Sequence, residues 1–597
     1  MEGGFEVKVL GGGLESGRSC VLVRILVPHS RHDDGDDGDD ASMTPQPLGS
    51  ACVMLDCGIV PALVNDVAWE AMGPDFSSLQ ALHKENQRQT CVSAIIVSHA
   101  HVDHIGALLY FVERFDYRGP IYMTQASRNL LPHVLSDMVA QRRNRISEQA
   151  DPFAAAFSRE TLDRVTGELV QTVEFGKVFE ALPTHHVFCR LLPSGHLSGA
   201  AMVHLYSPHA SLLFSGDLNL NPERHIQAAD VASLASFTMR VPDLLLCECT
   251  NGSTYRESGR QQVELHLQEK VVTALDAGGS VLVAAPAIGR MHELALSFEF
   301  MLRDRPDVCI FVSSSLAWES MQSACAGSAS PAPLRARAPS SKDRERLLAG
   351  ITAPCIFIAS SSSMYKGFGS AITKLWAPRA STLFVMCGTT LAEVLLDDSR
   401  SARGIPAEPM RAQVMQLEMS AHADAAELLQ FCLMSSARHI ALVHGSESRM
   451  RQFAEALTTF LHERSVRVET LANGESIRVP RLMSSADALQ EVDISQLGAQ
   501  SPCTISRVQR VLAEVEKDYY CAFNMIWPRH DRGALIARSH SLEIRWNLVE
   551  ATQDAASETS TLTAWDADGV HQLLTLRAIQ WTEPDQTLAQ ACLERLL

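Results

Sequence analysis

The segment Ser98-His-Ala-His-Val-Asp-His104 constrains this chain more than any other. It puts four possible metal ligands, His99, His101, Asp103 and His104, within six residues. They come directly after Ala94–Ser98, an apolar run that reads as a buried strand. Alternate side chains of an extended chain point the same way, so His99 and His101 can reach one ion together. Asp103 and His104 then turn toward a neighbouring position. Loops at strand ends are where a rigid scaffold usually carries its chemistry. The competing reading is a surface loop that merely contains histidines. Three imidazoles and a carboxylate in this tight order favour a zinc site.

Further ligands also follow strands. His196 lies in Ser194-Gly-His-Leu-Ser-Gly199, Asp217 in Ser215-Gly-Asp-Leu218 and His444 in Leu442-Val-His-Gly445. Taken alone, a strand-end histidine is more often a hydrogen-bonded structural residue. Together, seven ligands suit two metals that share one carboxylate. Asp56, in Met54-Leu-Asp-Cys-Gly58, also follows a strand. It is not needed as a ligand, and it fits a carboxylate that orients a ligand histidine.

The rest of the chain reads as a large α/β protein. Phe5–Leu10, Cys20–Ile25, Ala51–Leu55, Val187–Leu192, Met202–Tyr206 and Ser211–Phe214 are strand-like, with helical spacing over Gly106–Phe115 and Gln125–Gln141. From about Asp243, strands at Leu244–Cys247, Ser280–Ala285, Val308–Val312 and Cys355–Ile358 alternate with helices at Glu264–Leu275 and Arg290–Leu302. This alternation marks a parallel sheet. Ala326–Lys342 and Asp397–Pro409 read as loops. Strand–helix alternation resumes at Val414–Met419, Ala426–Met434, His439–Val443 and Glu447–Leu461. The tail from Met483 has alternating strands at Ser541–Trp546 and Gln572–Ile579 and ends in a helix.

Composition excludes several classes. The 597 residues are 46% hydrophobic and 20% charged, a globular balance with ample core for three to four domains. The longest apolar runs, such as Leu108–Val112 and Val281–Ile288, fall far short of the ~18 residues of a membrane span. The opening MEGGFEVKVL has neither a basic nor a long apolar region and does not read as a signal peptide. Fifteen scattered cysteines then read as reduced thiols of a nuclear or cytosolic protein. A net charge of −18 argues against coating nucleic acid through a broad basic surface, but a cleft holding metal ions can still be cationic. The run Asp33–Asp40 is a solvated loop without the closing glutamate of a calcium loop.

Taken in order, Leu55-Asp-Cys-Gly58, the cluster at 99–104, Ser194-Gly-His196 and Ser215-Gly-Asp217 resemble the metallo-β-lactamase fold. Later motifs resemble its β-CASP branch of nucleases: Leu245-Leu-Cys-Glu248, Pro286-Ala-Ile-Gly-Arg290 with Glu293-Leu294, Ser420-Ala-His-Ala-Asp424 and His444. The resemblance covers about residues 5–480. It implies a metallo-β-lactamase αββα sandwich with an inserted β-CASP α/β domain and a small α+β C-terminal domain. The implied parts are 1–251 and 420–480 for the sandwich, 252–419 for the insert and 481–597 for the tail.

The resemblance also implies the chemistry. The expected activity is zinc-dependent endonucleolytic cleavage of single-stranded RNA by a metal-activated hydroxide, leaving a 3′-hydroxyl and a 5′-phosphate. Of two Zn2+ ions, the first falls to His99, His101 and His196. The second falls to Asp103, His104 and His444, with Asp217 bridging. Asp56, Asp103, Asp217, Glu248 and His422 are the expected catalytic residues, His422 as general acid with Glu248 holding its charge. The rival for that pair is a structural ion pair between domains. The expected setting is a larger nuclear RNA 3′-end processing complex, with the tail pairing with an inactive paralogue of the branch. An inactive scaffold is the alternative of another class, and retention of all seven ligands argues against it. A DNA-processing relative would lack the histidine at 444, and a small-molecule hydrolase would lack the insert.

Overall fold

A computed structural model of the chain describes residues 4–480, except 27–50, 62–67, 86–89, 145, 147–150, 208–209, 232–241, 257–258, 327–334, 351–352, 361–366, 389–409 and 462–465, and beyond these the backbone of seven strands of the tail. The first strands are β1 (Gly4–Gly11), β2 (Cys20–Leu26), β3 (Cys52–Leu55), β4 (Val92–Ile96), β5 (Ile121–Met123) and β6 (Val170–Thr172). A second group follows as β7 (Val178–Leu182), β8 (Val187–Pro193), β9 (Ala201–Tyr206), β10 (Ser211–Phe214) and β11 (Leu244–Glu248). Then come β12 (Val281–Ala285), β13 (Cys309–Val312), β14 (Cys355–Ser360), β15 (Leu383–Cys387) and β16 (Gln413–Leu417). The last before the tail are β17 (His439–Val443), β18 (Arg467–Thr470) and β19 (Ser476–Pro480).

These strands form two seven-stranded sheets, β19-β1-β2-β3-β4-β5-β6 and β18-β17-β11-β10-β9-β8-β7. Successive strand residues point to opposite faces, and the core divides accordingly. Val21, Val23 and Ile25 of β2 meet Leu212 and Phe214 of β10 and Leu244 and Leu246 of β11 in one core between the sheets. The intervening Cys20 and Leu22 face an outer core with helix Gln125–Arg143, and Leu213 and Leu245 face another with helices Ala425–Ser435 and Glu447–Phe460. The layers are therefore helix, sheet, sheet, helix. Each fully buried Val, Leu or Ile contributes about 1.5–3 kcal/mol, so apolar side chains on both faces of these strands drive this stacking.

β12–β16 form a separate sheet, β13-β14-β12-β15-β16, with every neighbouring pair parallel. Its loop 286–289 and helix Ser315–Ala326 reach the sandwich, where Ile288 and Leu316 pack against the first outer core. In the tail, Gln490–Asp493, His571–Trp581, Leu542–Glu550, Ala534–Ser539 and Asn524–Ile526 form an antiparallel sheet in that order.

Several elements differ from the sequence reading. The strand expected over Ala94–Ser98 ends at Ile96, because the chain leaves the sheet to build the ligand loop. Ala326–Lys342 is not one loop: Ala326 ends a helix, Arg337 bridges to Phe311, and Lys342 lies in helix Ser341–Leu348, opened by a Ser340–Asp343 capping box. β15 is a fully buried apolar strand that the sequence reading left out. The acidic run Asp33–Asp40, the loop Asp397–Pro409 and the closing helix of the tail lie outside the described residues.

Candidate metal centre

The site lies where strand ends of the two sheets meet. β3 and β4 run parallel in one sheet, as do β10, β11 and β17 in the other, so their C-terminal ends share an edge. Asp56 follows β3, His99–His104 follow β4, His196 follows β8, Asp217 follows β10, Glu248 ends β11 and His444 follows β17. Two glycines permit the close approach. A Cβ on Gly58 would lie 1.7 Å from the Asp103 carbonyl oxygen. Gly216 adopts φ +53° with its Cβ position 2.9 Å from Ser98 Cβ. Asp56 and His444 themselves sit at φ 57° and 54°, a strain that non-glycine residues bear where the surroundings hold them in place.

The loop after β4 works much as its pattern suggests. His101 is still extended, at φ −74° and ψ 150°, and Val102 opens the short helix Val102–Ile105 that carries Asp103 and His104. His101 Nδ1 lies 3.1 Å from both His99 Nε2 and His196 Nε2. Asp217 Oδ2 lies 3.4 Å from His99 Nε2, 3.5 Å from His196 Nε2 and 3.4 Å from His104 Nε2. Its Oδ1 lies 3.4 Å from His444 Nδ1. Asp103 Oδ2 is 3.4 Å from His444 Nε2 and 3.9 Å from His104 Nε2. The ligand-type atoms fall into two groups, His99, His101, His196 with Asp217, and Asp103, His104 with His444. Asp217 reaches toward both.

Two observations fit this cluster to metal ions. His104 Nε2 and Asp217 Oδ1 are buried and have no hydrogen-bond partner, an arrangement costly in a native fold unless something else binds them. The donors are imidazoles and carboxylates, which suit zinc. The outer ring nitrogens have partners. Asp56 Oδ2 lies 2.7 Å from His104 Nδ1, and Asp56 also accepts from Ser98 N at 2.7 Å and Ser98 Oγ at 2.8 Å. Ser98 Oγ lies 3.0 Å from His99 Nδ1, Thr250 Oγ1 3.2 Å from His444 Nδ1, and the Ala421 carbonyl 2.9 Å from His196 Nδ1. On His99, His104 and His196 such partners select the tautomer with the inner nitrogen free.

Electrostatics follow from burial and charge. Burial pushes the His99, His101 and His196 imidazoles down, His101 to about 3, which keeps them neutral as ligands must be. Burial acts the same way on His104, but Asp217, Asp56 and Asp103 outweigh it and raise that group. Asp217 would be raised by burial, yet the surrounding histidines hold it far below the usual carboxylate range.

His422 stands beside these groups. Its Nδ1 lies 3.1 Å from Glu248 Oε1 and its Nε2 3.9 Å from Asp217 Oδ2. Burial lowers the ring, and Glu248 and Asp217 raise it to about 9. Glu248 is held by the backbone N–H of Leu218 at 2.8 Å and of Thr250 at 3.0 Å. The structure thus gathers all ten residues singled out in the sequence at one place. Sequence reasoning did not single out Ser98, Thr250 and the Ala421 carbonyl as partners. Only the adjacency of Ser98 to the cluster offered a signal.

Comparison with known proteins agrees with this geometry. Residues 48–235 match the metallo-β-lactamase superfamily, and residues 408–470 match the Zn-dependent metallo-hydrolase RNA specificity domain. The chain is 27% identical over 506 residues to Integrator complex subunit 11 of Danio rerio, covering 80% of this chain and 74% of that protein. It is 26% identical over 490 residues to cleavage and polyadenylation specificity factor subunit 3-II of Arabidopsis thaliana, covering 79% and 72%. It is 24% identical over 482 residues to cleavage and polyadenylation specificity factor 73 of Drosophila melanogaster, covering 76% and 61%. With its two-sheet sandwich and its imidazole–carboxylate cluster, the chain carries a metallo-β-lactamase superfamily domain over residues 48–235 and the RNA specificity domain of zinc-dependent metallo-hydrolases over residues 408–470.

Proposed function

We propose that this chain is a two-zinc endoribonuclease acting on single-stranded RNA, as the catalytic subunit of an Integrator-type complex that processes nascent RNA 3′ ends in the nucleus. The observation that carries the reading is Asp217 set between two ligand groups, with the His422–Glu248 pair beside it. In this reading His99, His101 and His196 would hold one zinc and Asp103, His104 and His444 the other, with Asp217 within reach of both groups. Bound there, the two ions would supply a nucleophile near neutral pH and charge to hold the scissile phosphate.

The chain's own residues do the rest. Asp56 and Ser98 fix the rings of His104 and His99. His422 turns Nε2 toward the cluster and gives its proton to the departing 3′-oxygen. Glu248 accepts from Nδ1, and because it lies outside both ligand sets it still favours the imidazolium once cations neutralise Asp217. Residues 252–419 form the inserted unit against which RNA enters, and 481–597 the unit that joins an inactive paralogue. A second reading, the endonuclease of pre-mRNA cleavage and polyadenylation, is favoured by the similarity to two proteins of that name.

Metal content and cleavage of a single-stranded RNA test the proposal. Asp217→Ala should lose both zinc occupancy and cleavage. His422→Ala should keep both ions and lose about 10²–10⁴-fold in turnover, the range for a general acid. That loss should shrink on a substrate whose leaving oxygen is sulfur, since a thiolate leaves without a proton. Equal losses on the two substrates at full occupancy would refute the acid role. An undamaged preparation that takes up no zinc would refute the whole reading.

A further inference from the structure

The strap that leaves β11 ends on Arg256, a residue outside every motif discussed above. Its side chain crosses to the loop Ser420–Asp424. Nη2 donates to the carbonyl of His422 and, at 3.4 Å, to that of Ser420. Nη1 donates to both oxygens of Glu427, at 3.1 and 3.2 Å. The backbone N–H of Arg256 donates to Asp424 Oδ2 at 3.1 Å. The same strap fastens this loop twice more, through Asn251 Nδ2 to Ser420 Oγ at 3.2 Å and Ala425 N to the Thr254 carbonyl at 2.9 Å.

The carbonyl between the two that Arg256 holds has a different partner. Ala421 O accepts from His196 Nδ1 at 2.9 Å. The chain bends at Ala421 and His422, and this turns the Ser420 and His422 carbonyls to Arg256 and the Ala421 carbonyl to His196. Holding 420 and 422 from outside therefore aims 421 inward at His196. It also fixes the backbone that carries the His422 ring. Asp424 and Glu427 form the capping box of helix Ala425–Ser435, so Arg256 ties the loop to a rigid helix end.

We infer that Arg256 is a positioning residue: its fork sets the Ala421 carbonyl on His196 and the His422 ring beside Asp217, so one side chain governs both the first ligand group and the proton donor. This rests on the zinc-endoribonuclease reading for the roles of His196 and His422. The guanidinium suits the task because its planar fork meets two carbonyls and a carboxylate at once, which a lysine ammonium does not. The Arg256–Glu427 pair is 24% and 18% exposed, so as an ion pair alone it adds little stability. Its weight lies in placement.

The test uses the full chain with Arg256→Ala and Arg256→Lys, each titrated with zinc against a chelator, and needs no RNA. His196→Ala marks which step belongs to the first group. Arg256→Ala should weaken that step by about 10–100-fold, the usual cost of losing the support of a ligand histidine, and leave the other step unchanged. Arg256→Lys should recover part of the loss. With RNA, kcat should fall and KM should hold, because the loop places groups rather than binding substrate. Unchanged affinity for both ions in Arg256→Ala overturns the inference. Equal weakening of both ions with a matching fall in Tm overturns it too, since that marks general loosening. A zinc-loaded wild type that cuts no RNA sinks the nuclease reading, while the zinc titration still decides Arg256. A wild type that takes up no zinc sinks both.

Discussion

Replacing Asp56 by asparagine tests how the second ligand group is prepared. Asp56 is fully buried and accepts three hydrogen bonds, from Ser98 N, from Ser98 Oγ and from His104 Nδ1. Asparagine is nearly the same size but has one acceptor oxygen and one donor nitrogen. If the oxygen stays on Ser98 N–H, the amide NH2 faces His104 Nδ1. His104 must then accept there and carry its proton on Nε2, the atom aimed at the cluster without a partner. The opposite amide orientation sets two donors against each other at Ser98 N, at a cost of about 1–3 kcal/mol for the unsatisfied group. Either way the second group loses a ready ligand. Loss of such a partner weakens metal binding about 10–100-fold, or roughly 1.4–2.8 kcal/mol. The first group feels the change only through Ser98 Oγ, so its ion should weaken less. A chelator-competition titration of Asp56→Asn and wild type reads both affinities, with circular dichroism to confirm folding. Two ions held at wild-type affinity in a folded Asp56→Asn protein would refute the argument.

Zinc binding should release protons. Burial lowers His104 and His444, but nearby carboxylates outweigh it and raise both, so the empty groups hold protons that a cation must displace. Zinc affinity should then rise with pH, and the calorimetric heat should vary with the ionisation heat of the buffer; a buffer-independent heat contradicts this. Glu293 should make the fold acid-sensitive. Burial raises it, but His225, Arg260 and Arg224 outweigh that and hold it at about 2. A depressed carboxylate stabilises fully above its unfolded pKa of about 4.3 and loses that stability as pH falls toward 2, a change of at most roughly 3 kcal/mol. Glu293→Gln should be less stable at pH 6 yet lose less on acidification, and equal urea-midpoint shifts in both proteins between pH 6 and 3 would exclude it. Deleting Met483–Leu597 should leave zinc occupancy intact and remove a co-purifying protein; an unchanged set of partners would contradict an assembly role for the tail.

Much of the sandwich and the site was legible in the sequence. Near-continuous apolar runs such as Cys20–Ile25 report that both faces of a strand are buried, and burial is a local property of residue type. Ligand-type residues next to strand ends report chemistry because each lies beside its own strand in the sequence, and all ten site residues appear in order along the chain. Other features depended on contacts between distant segments. Periodicity says which face is buried but not what covers it, so the order β13-β14-β12-β15-β16 could not be read from it. Asp217 lies between the two ligand groups only because β10 and β4 end at the same edge, with Gly216 closing on Ser98. Arg256 and Thr250 look like ordinary strap residues. Their partners, the 420–427 loop and His444, lie more than 160 positions away along the chain, and only folding brings them within hydrogen-bond reach.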